Sequence, residues 1–146
     1  MKFKPLSPND ANFILFASFL DQAKQELYPN GAVFENSKDE LDIIIGLYDE
    51  ETLVGCGALY LFEDYSEAKK VFILPKCRGL GLSKKLMLEL ERISALSEKF
   101  IVKLETGVKQ PAAIGLYKSL GYKPIDAFPP YYSHKDHLYF EKNLKC

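Results

Sequence analysis

Residues 69–84, KKVFILPKCRGLGLSK, join a short apolar run to a pair of glycines and then to an amphipathic segment. Val71-Phe72-Ile73-Leu74 has the character of a strand, and Pro75 closes it because proline has no N–H to continue a ladder. Gly79 and Gly81 bracket a loop that can bend sharply and let another molecule approach the backbone. From Leu82 the apolar spacing becomes helical. Leu82, Leu86, Leu90 and Ile93 share one face, while Glu89, Glu91 and Arg92 are expected to look outward. A strand that feeds a helix must be followed by a crossover, so the next strand is expected to lie parallel to it. The open N–H groups and positive dipole end of a helix start form an anion site. Ser83, Lys84 and Lys85 occupy the first turn, where lysines oppose the macrodipole and make sense beside a phosphate.

The rest of the chain bounds what surrounds this segment. With 146 residues, 47% hydrophobic and 27% charged, it is expected to be one domain over residues 1–146 with a substantial core. A formal net charge of −1 gives no footing for nucleic acid or an anionic membrane as partner. No apolar run approaches the ~20 residues of a membrane span, and MKFKPLSPND has no apolar signal core. The three cysteines, Cys56, Cys77 and Cys146, are odd in number and lack CxxC spacing. That argues against a disulfide framework and a zinc site, so no metal is expected, and it fits a cytoplasmic setting.

In order, residues 1–6 read as a short edge strand. Ser7 is the expected N-cap of a first helix, with Pro8 at its first position and Asp10 in the capping-box position. Phe13, Phe16, Ala17, Leu20 and Leu27 carry that helix to Tyr28, where Pro29-Asn30-Gly31 stops it. Residues 37–42 suggest a helical turn. Residues 43–48 and 53–62 form an expected antiparallel hairpin, followed by a strand over 67–74. After the central helix, which runs to about Leu96, residues 100–105 make the parallel strand. Gln110-Pro111 opens another helix, capped by Gly121, and residues 122–125 and 137–144 close the chain as strands. An aromatic loop, Phe128-Pro129-Pro130-Tyr131-Tyr132, lies between them. A final strand left exposed would pair across a two-fold axis and give a homodimer. The sum is an α+β fold, a mostly antiparallel sheet with one parallel step.

Three stretches together resemble the GCN5-related N-acetyltransferase (GNAT) superfamily. Arg78-Gly79-Leu80-Gly81-Leu82-Ser83 is similar to its R/Q-x-x-G-x-G/A signature, with Ser83 in place of the last glycine or alanine. SEAKKVFIL, residues 66–74, resembles its fourth strand, and AIGLYKSLGY, residues 113–122, resembles its A-I-x-L-Y-x-x-x-G-F segment. The likeness spans roughly residues 40–144. It implies a twisted sheet flanked by helices, with a parallel strand pair that splays apart at the coenzyme A site. It also implies an acyltransferase moving an acetyl group from acetyl-CoA, as co-substrate, to a primary amine. The route implied is direct attack through a tetrahedral intermediate, and the acceptor is a small-molecule amine or a peptide.

On that resemblance, the N–H groups of Leu80, Gly81, Leu82, Ser83 and Lys84 hold the pyrophosphate, with Arg78 and Gly79 completing the loop. The backbone of Val71, Phe72 and Ile73 pairs with the pantetheine arm and offers an N–H to the developing oxyanion. Gln110 stands where many members have asparagine and is a further cofactor contact. Tyr117 is the candidate general acid for the departing sulfur, since a phenol of pKa near ~10 is protonated at neutral pH. Glu67 is a candidate base, directly or through water, unless it is simply an exposed carboxylate beside Lys69 and Lys70. Glu105 is the alternative base or an acceptor contact, and Tyr131 and Tyr132 are expected to line an acceptor pocket. His134 and His137 read as solvated histidines of a polar loop. Cys77, with no histidine beside it, reads as incidental.

Two other classes compete. A dinucleotide-binding βαβ unit would share the strand, the Gly-x-Gly and the acid at Glu105, but Lys84 occupies its third glycine position. A non-catalytic acyl-CoA sensor would keep the fold without turnover.

Overall fold

The computed structural model describes residues 1–31 and 40–145. Among these, seven strands form one sheet in the order β1-β2-β3-β4-β5-β7-β6. The strands are β1 (Lys2–Pro5), β2 (Ile43–Asp49), β3 (Thr52–Leu61), β4 (Ser66–Ile73), β5 (Ile101–Gly107), β6 (Lys123–Ile125) and β7 (His137–Asn143). The helices are α1 (Ala11–Leu27), α2 (Leu82–Leu96) and α3 (Pro111–Ser119). Every neighbouring pair is antiparallel except β4 and β5. The expected α+β class, the edge strand at the start and the single parallel step are therefore present. Part of the helical turn expected over residues 37–42 lies outside the described residues.

The sheet is coated on both faces. On one, Leu82, Leu86, Met87 and Leu90 of α2 pack with Leu59, Ala68, Val102, Leu104 and Phe140, and α3 adds Ile114, Leu116 and Tyr117. On the other, Phe13 and Phe16 of α1 pack with Ile44, Leu53, Ala58 and Phe72. Burying each such side chain contributes about 1.5–3 kcal/mol before entropy is counted. A third cluster, Phe128, Tyr131 and Tyr139, folds the aromatic loop onto the α1 side of the sheet beyond β5.

Three expectations need correction. The first helix begins at Ala11, with Asp10 as N-cap accepting from the N–H groups of Asn12 and Phe13. Ser7 instead makes a local turn, its hydroxyl accepting from Asn9 N at 3.1 Å. A carboxylate at a helix start engages two open donors and the dipole together, which outweighs proline's liking for the first position. The last strand is not an edge. β7 lies between β5 and β6, so the exposed strand on that side is the short β6 and the expected route to a dimer is gone. Glu91 does not face solvent. It is 7% exposed and accepts from Tyr122 Oη at 3.0 Å and Lys142 Nζ at 2.7 Å, so Tyr122, just before β6, and Lys142 of β7 hold it inside.

Candidate functional site

The parallel pairing of β4 and β5 is only two residues long. Ser66 faces Val102 and Glu67 faces Lys103, and beyond them the strands separate. A cause sits in β4. Cys56 pairs with Phe72 and Ala58 with Lys69, so Gly57 faces both Lys70 and Val71. This bulge places Lys70 at φ +56°, left-handed for a side-chain-bearing residue. It also puts two successive side chains on one face. Lys69 reaches Tyr131 and Lys70 reaches Asp21 of α1, both on the α1 side.

The gap between the strands is a cleft of about 120 Å³. Ala68 to Val71 form one wall and Glu105 and Thr106 the other. Gln110, Ala113 and Tyr117 border it from the α3 side, and Leu20 and Lys24 from α1. Tyr117 packs edge-on against Tyr122 at 5.8 Å and against Phe140 at 6.5 Å. Burial, and next the Glu105 carboxylate, push its pKa up to about 12, so the phenol keeps its proton.

The glycine loop runs from the end of β4 into α2, with Cys77 and Leu82 against the core beneath α2. Gly79 and Gly81 have φ of +82° and +75°, and a Cβ on either would meet nothing within 4 Å. These glycines therefore answer a backbone requirement beneath open space, not a packing one. Gly81 is the N-cap of α2 and no side chain caps the helix. The first intrahelical bond runs from Lys85 N to Gly81 O, which leaves the N–H groups of Leu82, Ser83 and Lys84 outside the helical ladder. Arg78 is committed elsewhere: its Nε donates to Ile73 O at 3.0 Å and its guanidinium lies 5.6 Å from the Phe72 ring centre. It thus fastens the loop to the end of β4, using the carbonyl of a residue expected to pair with the cofactor arm. The Gln110 side-chain oxygen likewise accepts from Gly107 N at 2.9 Å, bracing the turn before α3.

On the α1 side the cleft opens into a cavity of about 550 Å³, with Asp21, Lys24, Gln25 and Tyr28 of the first helical segment on one wall. Glu105 and His137 stand opposite, joined Nδ1 to Oε1 at 2.5 Å. His137 is therefore not a loop residue left to solvent; it opens β7 at the register partner of Gly107. Glu105 holds the imidazole in one orientation, the arrangement expected of a paired proton acceptor. His134 accepts from Asp136 N with its Nδ1 and packs 5.3 Å from the His137 ring. Tyr28 closes this end. Its hydroxyl accepts from Lys109 N at 2.6 Å, and a Cβ on Gly107 would overlap it.

Glu67 is fully buried, which removes the exposed-carboxylate alternative. It accepts from Tyr131 Oη at 2.5 Å, Tyr131 accepts from Lys69 Nζ at 2.8 Å, and Lys69 stands 3.7 Å from Glu67. Glu67 thus stands behind Tyr131 and Lys69, and of these Lys69 lines the cleft and the larger cavity. Burial lowers the Lys69 pKa, and Glu67 partly opposes that shift. Tyr132 is 55% exposed and lines a separate space of about 610 Å³ beside β6 and β7. Cys77 is half-buried at the rim of the core. No group of side chains able to hold a metal ion occurs among the described residues, and no helix there is long and apolar enough to cross a membrane.

Sequence reasoning sets His137 aside as a solvated loop histidine and misses Lys24 and Tyr28 at the site. The alternation of β7 could have put His137 on the same face as Tyr139. Nothing in the sequence brings Lys24 or Tyr28 to β5.

Comparison with known proteins adds to this geometry. The family model described as Acetyltransferase (GNAT) family matches residues 10–122. An IAA acetyltransferase of Azospirillum brasilense is 34% identical over 95 residues, a match spanning 64% of this chain and 62% of that protein's length. A Klebsiella pneumoniae protein described as an acyl-CoA N-acyltransferase is 34% identical, with 98% of this chain and 97% of that one superposed at a TM-score of 0.85. A GNAT family acetyltransferase of Elizabethkingia anophelis with acetyl-CoA bound shares the fold at a TM-score of 0.69 and 14% identity, over 98% and 97% of the two chains.

Proposed function

Because the chain belongs to the GNAT acetyltransferase family, we propose that it moves an acetyl group from acetyl-CoA to the primary amine of a small acceptor. The observation that carries this reading is the cleft between β4 and β5. It runs from α3, at Gln110, Ala113 and Tyr117, to a cavity on the α1 side, with Tyr117 and Glu105 both on its walls. A donor bound on one face and an acceptor on the other would meet inside it.

Acetyl-CoA supplies the activated acyl carbon, and the protein's part is to place two reactants and handle two protons. The N–H groups at the start of α2 suit a pyrophosphate, and the open space above Gly79 and Gly81 lets one come close. Unpaired backbone of β4 facing the gap offers hydrogen bonds to an extended pantetheine, and an N–H from Val71 to Ile73 would receive the oxyanion. Glu105, oriented by its bond to His137, is the better placed base for the incoming ammonium, because it lines both the cleft and the cavity. Glu67, enclosed by Tyr131 and Lys69, fits the role of anchoring Lys69. Tyr117 donates to the sulfur as the C–S bond breaks.

The test has two stages. Thermal shift against acetyl-CoA, free CoA and NAD should show stabilisation by the first two only, since a ligand that binds the native state raises its melting temperature. Thiol release should then accelerate with at least one amine of a broad panel. Stabilisation by NAD alone, or binding of acetyl-CoA with no amine-dependent thiol release, overturns the reading.

A further inference from the structure

Three lysines converge where the cleft opens into the larger cavity. Lys24 from α1 and Lys69 and Lys70 from the bulge line both spaces. Their commitments differ. Lys69, with a side chain 18% exposed, is taken by Glu67 and Tyr131. Lys70 stands 3.7 Å from Asp21, whose side chain is 69% exposed, an arrangement that water and salt weaken. Lys24 forms no ion pair among the described residues, and its charge acts on Lys69 across the junction. Across the cavity, the Glu105–His137 pair presents groups suited to an ammonium.

The acyl donor gives no reason for this positive charge. On the reading above, its phosphates belong at the start of α2, and the part that reaches the junction is a neutral amide chain ending in a neutral thioester. An anion brought by the other reactant does give a reason. Resting on the acetyl-transfer reading, we propose that the cavity binds an amino carboxylate, its amine at Glu105 and its carboxylate at Lys24 with Lys70. The acceptor class is then an amino acid or a close relative, and Lys24 is a specificity-determining residue. A carboxylate carried by the acyl group of a dicarboxylic acyl-CoA would satisfy the same lysines, but it would leave the facing Glu105–His137 pair without a complement.

The experiment measures kcat/KM for L-amino acids and for the matching amino-acid amides, with acetyl-CoA and with succinyl-CoA. It uses wild type, Lys24→Gln and Lys24→Met. Lys24 is on the exposed face of α1, so both variants are expected to fold, and their melting curves check this. With acetyl-CoA, acids should exceed amides by tenfold or more, about the worth of one charge-assisted hydrogen bond. Both variants should bring that ratio towards one through KM, and added salt should do so in wild type. Amides or uncharged amines used as well as acids, or a ratio untouched by both variants, overturns the inference alone. A preference for succinyl-CoA that Lys24 controls, with acids and amides alike, assigns the lysines to the donor and also overturns it. No turnover with any amine overturns the acetyl-transfer reading and this inference with it.

Discussion

Replacing Tyr117 by phenylalanine keeps the ring that packs on Tyr122 and Phe140 and removes only the hydroxyl. The size of the effect follows from the phenol's environment. Burial and Glu105 hold its pKa at about 12, whereas a thiol leaving group has a pKa of about 8.5. Complete proton transfer from this phenol to a thiolate is then uphill by about 3.5 units, or about 5 kcal/mol. The contribution left is a hydrogen bond to developing charge on sulfur, worth about 1.5–3 kcal/mol. That corresponds to a loss in kcat between about tenfold and a hundredfold. The assay is kcat at saturating acceptor for wild type and Tyr117→Phe, with two acyl donors of different leaving-group pKa. The donor with the more basic thiol should lose more. Acetyl-CoA affinity should hold, and no basic limb from Tyr117 should enter the wild-type pH profile below about pH 11, because the group does not titrate there. Stability gives a second check. A raised phenol pKa contributes stability that is present below the unfolded value near ~10 and lost as pH rises through the folded value. Wild type should therefore lose stability more steeply than Tyr117→Phe between about pH 10 and 12. Equal kcat in wild type and mutant would remove Tyr117 from the chemistry. Equal losses with both donors would reassign it to positioning, since misplacement slows both alike.

Gly81→Val should lower both stability and acetyl-CoA affinity. A φ of +75° strains a residue with a Cβ by about 1–2 kcal/mol, and the new methyls would enter the open space where the proposed function puts the pyrophosphate. Calorimetric titration of the folded variant with acetyl-CoA decides it, and wild-type affinity would move the cofactor site elsewhere. Tyr131→Phe removes the hydroxyl between Lys69 and Glu67 and leaves the buried carboxylate one donor short. Urea unfolding should show a loss of about 1–3 kcal/mol, partly recovered by adding Glu67→Gln. No loss on the single change would mean that water replaces the hydroxyl.

The parts of this molecule legible in the sequence are those set by local chemistry. Pro75 ends β4 within two residues of where it stops, Gly79 and Gly81 mark the left-handed positions of the loop before α2, and the spacing from Leu82 to Ile93 places the buried face of α2. The crossover rule then supplied the parallel neighbour. One local choice is misread: Asp10 rather than Ser7 caps α1, because capping is a competition among nearby polar groups that the backbone path decides. The rest of what is hidden depends on residues far apart in the chain. Glu91 looked like a surface residue because its partners, Tyr122 and Lys142, lie 31 and 51 positions away. The link between Glu105 and His137 spans 32 positions, and it arises from strand register, which no pattern within one strand reveals.

The bulge at Lys70 lets one strand serve both sides of the sheet, which on the proposed function are the cofactor and acceptor sides. A regular β4 would alternate its side chains and would send Lys69 and Lys70 to opposite faces. The extra residue cancels one alternation. Glu67, Lys69 and Lys70 then serve the α1 side, while Val71 and Ile73 join the core beneath α2. The same irregularity lies where β4 parts from β5, since their pairing ends at Glu67, before the bulge. Paired strands would leave no passage through the sheet, and a wide gap would expose backbone groups that need partners. A narrow gap bordered by Tyr117, Glu105 and lysine side chains avoids both, and on the proposed function an extended pantetheine would bond to its open backbone. The left-handed conformation at Lys70 thus turns its side chain to the α1 side, where the proposed function puts the acceptor, and the residue lines the cleft between β4 and β5.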